Sequence, residues 1–335
     1  MNLGIIGFGG VSRAFIKLLI DKQNKFNEKI ILKYIINSKG GLYNIKGINL
    51  NEVLQLIEER LELKESNDWI SNLSIDDIIK NKDINYLVEL TNTNIETGEP
   101  GLSHISKALD NGINVVTGNK GPILKSYDKL KDKADKNNLK LMIGCTTGGA
   151  LPSVNGGLIE CAGSDILEVQ GILNGTTNYI LTKMREEDTP YEKVLKDAQA
   201  LGIAELDPKL DVEGYDTASK MLILAKVLFG INQDINNIKI DGITNINLEQ
   251  IQKSKNNKTK LKLIGKIIKK NNEYKISVDI EEINKDHPLF FVDDKNKGIL
   301  YKTDTLGDIS IIGGASGTIN AAASILRDLV NIYWK

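Results

Sequence analysis

The segment Ala204-Glu205-Leu206-Asp207-Pro208-Lys209-Leu210-Asp211-Val212-Glu213-Gly214-Tyr215-Asp216 places four acids ahead of a predicted helix, Tyr215–Phe229, that carries Asp216 and Lys220. Asp216 and Lys220 are four residues apart and so share one helical face. By itself this spacing fits a capped surface helix with an ordinary salt bridge. The rest of the helix argues otherwise, because Met221, Leu222, Leu224, Ala225 and Leu228 make it strongly apolar. A carboxylate–ammonium pair on such a surface is partly desolvated, which is how a lysine becomes a usable proton donor or acceptor. A second lysine, Lys120, lies in Val115-Val116-Thr117-Gly118-Asn119-Lys120-Gly121-Pro122, just past the end of a predicted strand. Ligands of open α/β sheets bind in the crevice there. A lysine-rich chain nevertheless gives any one lysine little weight by position alone.

A third feature is Gly7-Phe8-Gly9-Gly10-Val11-Ser12, between the first strand and the first helix. It reads G-x-G-x-x-G with Ser12 in the third place. The first glycine permits the tight turn, Gly9 lets the backbone approach a pyrophosphate, and the helix N-terminus offers amide donors. The next strand ends Ile36-Asn37-Ser38-Lys39, without the acid that would hold an unphosphorylated ribose. Ser38 and Lys39 suit a 2′-phosphate, so NADP is preferred over NAD, although a solvated surface lysine explains Lys39 as well.

These residues need a frame. Predicted strands Leu3–Ile6, Ile30–Ile36, Tyr86–Leu90, Asn114–Thr117 and Lys140–Ile143 alternate with helices near Ser12–Asp21, Leu50–Leu63, Pro100–Asn111 and Ile123–Asn137. Such alternation predicts an α/β fold, a Rossmann-like parallel sheet with helices on both faces. After Pro152 the pattern changes to a strand at 166–173, helices at 178–185, 190–201 and 215–229, and alternating runs at 260–269 and 273–282. The second region is therefore read as an α+β catalytic and dimerisation domain with a mainly antiparallel sheet. The expected division is 1–151 plus about 305–335 for the dinucleotide-binding domain and 152–304 for the other. The closing helix, about Thr318–Asn331, returns to the first. Lys253–Lys262 and Asp293–Lys297 are charged and read as solvated loops.

Composition narrows the classes. With 43 Lys+Arg against 44 Asp+Glu the net charge is -1, which argues against a nucleic-acid partner, since phosphates are neutralised by clustered cations. No apolar run approaches a membrane span; Lys226 interrupts the longest, 221–231. The chain opens directly into a strand with no signal peptide, and two cysteines suit a reducing compartment, so a cytoplasmic location is expected. His104 and His287 are too few and too far apart for a metal cluster. Cys145 has no nearby histidine partner, so a small packed residue fits it better than a nucleophile.

At these residues the chain resembles homoserine dehydrogenase. The resemblance runs almost end to end: the glycine turn, Thr93–Pro100, Val116–Pro122, Asn174-Gly175-Thr176-Thr177-Asn178-Tyr179-Ile180-Leu181, Ala204–Lys220 and the glycine-rich turn 313–317. It implies reversible reduction of L-aspartate 4-semialdehyde to L-homoserine with NADP(H), or NAD(H), in threonine, isoleucine and methionine biosynthesis. It implies catalytic roles for Lys220, Lys120 and Asp216, with Glu205, Asp211, Thr176, Gly175 and Lys120 at the substrate. The implied cofactor set is Gly7, Phe8, Gly9, Gly10, Val11, Ser38, Lys39, Thr91, Asn92, Thr93, Asn119, Lys120, Gly314 and Gly317. It also implies a homodimer, to which the runs between Lys260 and Glu282 would contribute a shared sheet. The length leaves no room for an appended regulatory domain or kinase. A structural sodium is implied at Thr147 and Gly149, in a segment that usually starts with Glu; Gly144 stands there instead, which counts against the ion. The alternatives are an NADPH-binding sensor or scaffold without turnover, and an oxidoreductase of another semialdehyde that would need a cysteine–histidine pair.

Overall fold

The computed structural model describes every residue except Asn27, Asn272, Trp334 and Lys335, and every other side chain except that of Tyr333. The chain divides into two units, Met1–Thr146 with Gly317–Lys335, and Thr147–Ser316.

The first unit contains strands β1 (Asn2–Ile6), β2 (Ile31–Asn37), β3 (Gly40–Tyr43), β4 (Trp69–Ser71), β5 (Tyr86–Glu89), β6 (Asn114–Thr117) and β7 (Leu141–Met142) in the order β4-β3-β2-β1-β5-β6-β7. From β2 to β7 the pairing is parallel, whereas β3 and β4 are antiparallel. The two-residue period of β1 divides its side chains between two cores. Leu3 and Ile5 pack with Phe15, Ile16 and Leu19 of helix Gly10–Asp21 and with Ala322, Ile325 and Leu329 of helix Thr318–Tyr333. Ile6 packs on the other face with Ile78, Ile105, Leu109 and Leu130. The closing helix thus packs within the first unit.

The additions concern weakly patterned segments. β3 begins Gly-Gly, which reads as a turn, yet it pairs with β2 from Tyr34↔Tyr43 to Asn37↔Gly40. The helix expected over 50–63 stops at Glu58, and Leu63–Glu65 forms a separate 3-10 turn.

The second unit contains β8 (Ile166–Ile172), β9 (Lys239–Ile240), β10 (Lys260–Lys270), β11 (Glu273–Ile283), β12 (Lys297–Thr303) and β13 (Asp308–Gly313) in the order β13-β12-β8-β10-β11-β9. Among the described residues only β9–β11 is parallel. Helices Gly175–Glu187, Tyr191–Ala200 and Tyr215–Phe229 contribute Ile180, Val194 and Ala218 to a core shared with Leu263 and Val278 of the sheet. Two expectations are corrected. Because β12 pairs with β8 and β13 with β12, the chain leaves this unit after Ser316 rather than near 304. Lys253–Lys262 is no solvated loop: it spans the end of helix Leu248–Asn256 and the start of β10, and Lys262 is 1% exposed. Lys297, placed in the second expected loop, opens β12 and is also buried. A run of charge signals water only while the ammonium groups lack internal partners, and these have them.

Candidate active site

In the first unit the chain leaves β1 through Gly7, whose φ of +99° and position leave no room for a side chain: a Cβ would lie 2.3 Å from the Leu90 carbonyl oxygen. A Cβ at Gly9 would meet nothing within 4 Å. Gly9 is the N-cap of helix Gly10–Asp21, and no side chain caps it, so the first-turn amides are left to a ligand or water. A cleft of about 620 Å³ lies here, lined by Gly7, Phe8, Gly9, Ser38, Thr91 and Asn92 among others. Open space above a helix N-terminus beside a glycine turn fits a dinucleotide pyrophosphate.

A smaller pocket of about 230 Å³ shares Phe8, Asn37 and Ser38 with this cleft and adds Arg13, Lys39, Glu62 and Lys64. Arg13 lies over the Phe8 ring at 4.9 Å, and Glu62 pairs with Lys64 at 3.1 Å and Lys39 at 3.8 Å. The Lys64 hydrogen bond, aided by the nearby Lys39 charge, holds the Glu62 carboxyl below its usual range. Three cations against one carboxylate suit a phosphate. Arg13 and Lys64 were not singled out in the sequence. Arg13 directly follows the glycine turn, a usable signal, but only the fold brings Lys64 to Ser38.

The ends of β5 and β6 are fixed by a buried acid that the sequence did not mark. Glu89, fully buried, accepts hydrogen bonds from the Thr91 backbone and hydroxyl and from Thr117 Oγ1 at 3.0 Å. Asn119 Nδ2 donates to Thr91 Oγ1 at 3.2 Å, and Asn119 Oδ1 caps helix Lys120–Lys136 by accepting from the Gly121 N–H at 3.1 Å. Lys120 is therefore the first residue of a capped helix at the end of a parallel strand. Asn119 is committed to the network and does not line the cleft, nor do Gly10, Val11, Thr93 and Gly317. Gly314 is pressed against the Leu151 backbone, with 2.3 Å from an ideal Cβ to the Leu151 nitrogen.

In the second unit Lys220 Nζ donates to Asp216 Oδ2 at 2.5 Å and to the Leu173 carbonyl at 2.8 Å. The two side chains are 14% and 13% exposed, respectively. Asn174 Nδ2 donates to Asp211 Oδ1 at 2.6 Å and to Asp216 Oδ2 at 2.9 Å, while its Oδ1 accepts from the Thr177 N–H and caps helix Gly175–Glu187. One asparagine thus ties the end of β8 to both acids, and it was missed as a site residue although its place before Gly-Thr-Thr marked it as a cap. Gly175 opens the helix it caps, and Thr176 donates to the Ile203 carbonyl at 3.1 Å. Glu205 is exposed on the loop ahead of Pro208, outside this hydrogen-bonded group.

The implied sodium fits poorly. Lys297, 6% exposed, donates from Nζ to the Gly148 carbonyl at 2.8 Å, in the turn that would hold the ion. Like charges about 4 Å apart repel by roughly 4 kcal/mol at an effective dielectric of about 20. An acid at position 144 would also have to displace a carboxylate. The Gly144 N–H donates to Asp328 Oδ2 at 2.8 Å, and a Cβ there would lie 2.7 Å from Asp328 Oδ1. Cys145 contacts the Ala321 carbonyl at 3.6 Å, and burial pushes the Cys161 thiol up, so neither resembles an activated nucleophile.

Comparison with known proteins agrees with this arrangement. A family model described as "Homoserine dehydrogenase, NAD binding domain" matches residues 7–143, and one described as "Homoserine dehydrogenase" matches 153–330. Homoserine dehydrogenase of Methanocaldococcus jannaschii is 36% identical over 99% of this chain and 98% of its own. An NAD(+)-dependent homoserine dehydrogenase of Pseudomonas canavaninivorans is 30% identical over 99% and 96%. A crystal structure from Archaeoglobus fulgidus, titled as a putative homoserine dehydrogenase, superposes with a TM-score of 0.88 at 32% identity, covering 99% of both chains. With a nucleotide cleft in one unit, a partly buried acid–lysine pair in the other and family matches across both, this chain belongs to the homoserine dehydrogenase family of nicotinamide-dependent oxidoreductases.

Proposed function

We propose that Lys220 moves the proton in the family reaction, the interconversion of L-homoserine and L-aspartate 4-semialdehyde, and that NADP(H) is the preferred cofactor. The observation that carries this reading is the Asp216–Lys220 pair, anchored by Asn174 and the Leu173 carbonyl yet not sealed from solvent. The glycine turn, the first-turn amides and the ends of β2 and β5 would hold the dinucleotide. When bound, the nicotinamide supplies or accepts the hydride at the carbon that becomes the alcohol or aldehyde.

The lysine chemistry follows from charge. As an ammonium, Lys220 stabilises the negative charge that develops on the aldehyde oxygen during reduction and then gives that oxygen its proton. In the oxidative direction the neutral amine takes the hydroxyl proton. Asp216 and the Leu173 carbonyl fix the direction of Nζ; Asn174 in turn fixes Asp216. Asp211 and Glu205 are assigned to the substrate ammonium, Gly175 and Thr176 to the shape of its pocket, and Lys120 acts as the partner lysine. The cations Arg13, Lys39 and Lys64 beside Ser38 favour a 2′-phosphate. A homodimer on the side of the β10–β11 hairpin completes the reading, and sedimentation tests it.

The deciding assay is homoserine-dependent reduction of NADP at alkaline pH. Folded protein that binds NADPH but does not turn over would overturn the assignment in favour of a sensor. Lys39→Glu should shift the NADP/NAD ratio of specificity constants about tenfold towards NAD; an unchanged ratio removes Lys39 from the phosphate site.

A further inference from the structure

We infer that Lys297 is a built-in cation for the turn at Thr147–Gly149, standing where an alkali-metal ion would bind, so that this chain needs neither sodium nor potassium. The turn is enclosed: Thr147 and Ser153 are fully buried and their hydroxyls hydrogen-bond at 2.7 Å. Its carbonyl dipoles are thereby removed from water, and a cation nearby compensates for that loss. Lys297 reaches it from the first residue of β12, a strand held by pairing with β8 and β13. Its ammonium bonds the Gly148 carbonyl at 2.8 Å and lies 3.4 Å from where a Cβ of Gly149 would be. Gly149 has φ of +59°, so the backbone folds back around this point.

An ammonium and an alkali ion are alternatives here. Sodium requires several oxygens converging at close to 2.4 Å and a site free of other cations, whereas Lys297 brings its own charge on a tethered stem. The absence of an acid at position 144 agrees with this. A metal site gains from added negative charge, but a site occupied by a tethered lysine does not require it, and Asp328 takes the space a side chain would need at Gly144. Neither Lys297 nor the turn belongs to the proton-transfer group around Lys220, and the inference does not depend on that group.

The test is thermal melting of the intact protein in choline chloride, sodium chloride and potassium chloride at equal ionic strength, with turnover measured alongside. The wild-type midpoint should agree within about 1 °C in all three salts. Lys297→Gln should melt lower in choline and recover saturably with sodium or potassium at millimolar concentrations, because the turn is then open to an ion. A wild-type midpoint that rises saturably with sodium would overturn the inference, as would a folded Lys297→Gln protein indifferent to the salt. If Lys297→Gln does not fold, the wild-type series and the sodium-23 NMR linewidth on wild type decide: broadening that saturates means an ion binds. Melting requires no turnover, so failure of the oxidoreductase reading would leave this result intact.

Discussion

Two lysines of the second unit share one helix for their partners but face opposite environments. Lys220 is held through Asp216, which Asn174 ties to the N-terminus of helix Gly175–Glu187. Lys262 is held by Asn178, one turn along the same helix, whose Oδ1 accepts from Nζ at 2.9 Å, together with the Val292 carbonyl at 2.5 Å and Asp293 at 2.9 Å. The Lys262 side chain is 2% exposed against 14% for Lys220. Burial pulls the Lys262 pKa down, with Asp293 opposing it, and every partner in reach is already part of the fold. If Lys220 carries the proton as proposed, a buried ammonium alone does not mark chemistry: what separates a proton carrier from a strut is whether anything outside the protein can reach it.

Lys220→Ala is the variant expected to have the largest effect. Loss of the proton donor should lower turnover about 10³-fold, in the range of general acid–base contributions, while the dissociation constant for NADPH changes no more than a few-fold. Stopped-flow reduction and fluorescence titration check the two halves. If cofactor affinity falls in step with turnover, Lys220 belongs to the cofactor site and the contrast with Lys262 fails.

Lys262→Met reverses the pattern. It leaves Asn178 Oδ1 without its donor, while Asp293 keeps Lys260 at 2.5 Å and the Val292 carbonyl keeps Asn178 Nδ2 at 3.0 Å, and an unsatisfied buried polar group costs roughly 1–3 kcal/mol. Urea unfolding should show that loss, with the specificity constant of the folded enzyme within about threefold of wild type. A variant as stable as wild type but slow would make Lys262 a functional residue instead.

The smaller contrast lies between the two asparagines. Asn174→Ala frees Asp216 from one of its restraints and should lower kcat about 10- to 100-fold with KM for homoserine changing less. Asn178→Ala should act on stability and leave kcat near wild type. Rescue of kcat by Asn174→Gln would show that the amide need only be present; failure of rescue would show that its reach matters, as expected of a positioning residue.

The sequence exposed the two groups very unevenly. Asp216 and Lys220 were legible because both lie on one strongly patterned helix, so a spacing of four already implied contact. The glycine turn was legible because strand, turn and helix follow one another without interruption. Lys262 and Lys297 sit in charged runs that look solvated, and their partners are 31 and 149 residues away, a distance that only the tertiary fold removes. The same holds for Lys64 and Glu89, whose roles depend on which strand ends lie side by side. β12 and β13 follow the charged run Asp293–Lys297 and were not read as strands, which moved the expected domain boundary by about a dozen residues.

His287 provides the finest test of what partial burial does to a titratable group. The Leu289 N–H donates to Nδ1 at 3.1 Å, so the proton resides on Nε2, which then donates to Gln170 Oε1 at 2.9 Å. Both ring nitrogens are engaged as the neutral tautomer requires. Burial, followed by the nearby Lys266 and Lys302 charges, lowers its pKa below 6.5. Between that lowered value and 6.5 the unfolded chain binds more protons than the folded one, so stability falls as the pH drops through this window and levels off below it. His287→Asn retains an acceptor for the Leu289 N–H, two residues on, and removes the titration. The difference in urea stability between pH 7.5 and pH 5.5 should therefore shrink, with the turnover profile unmoved. An identical difference in the variant would mean that the ring protonates in place.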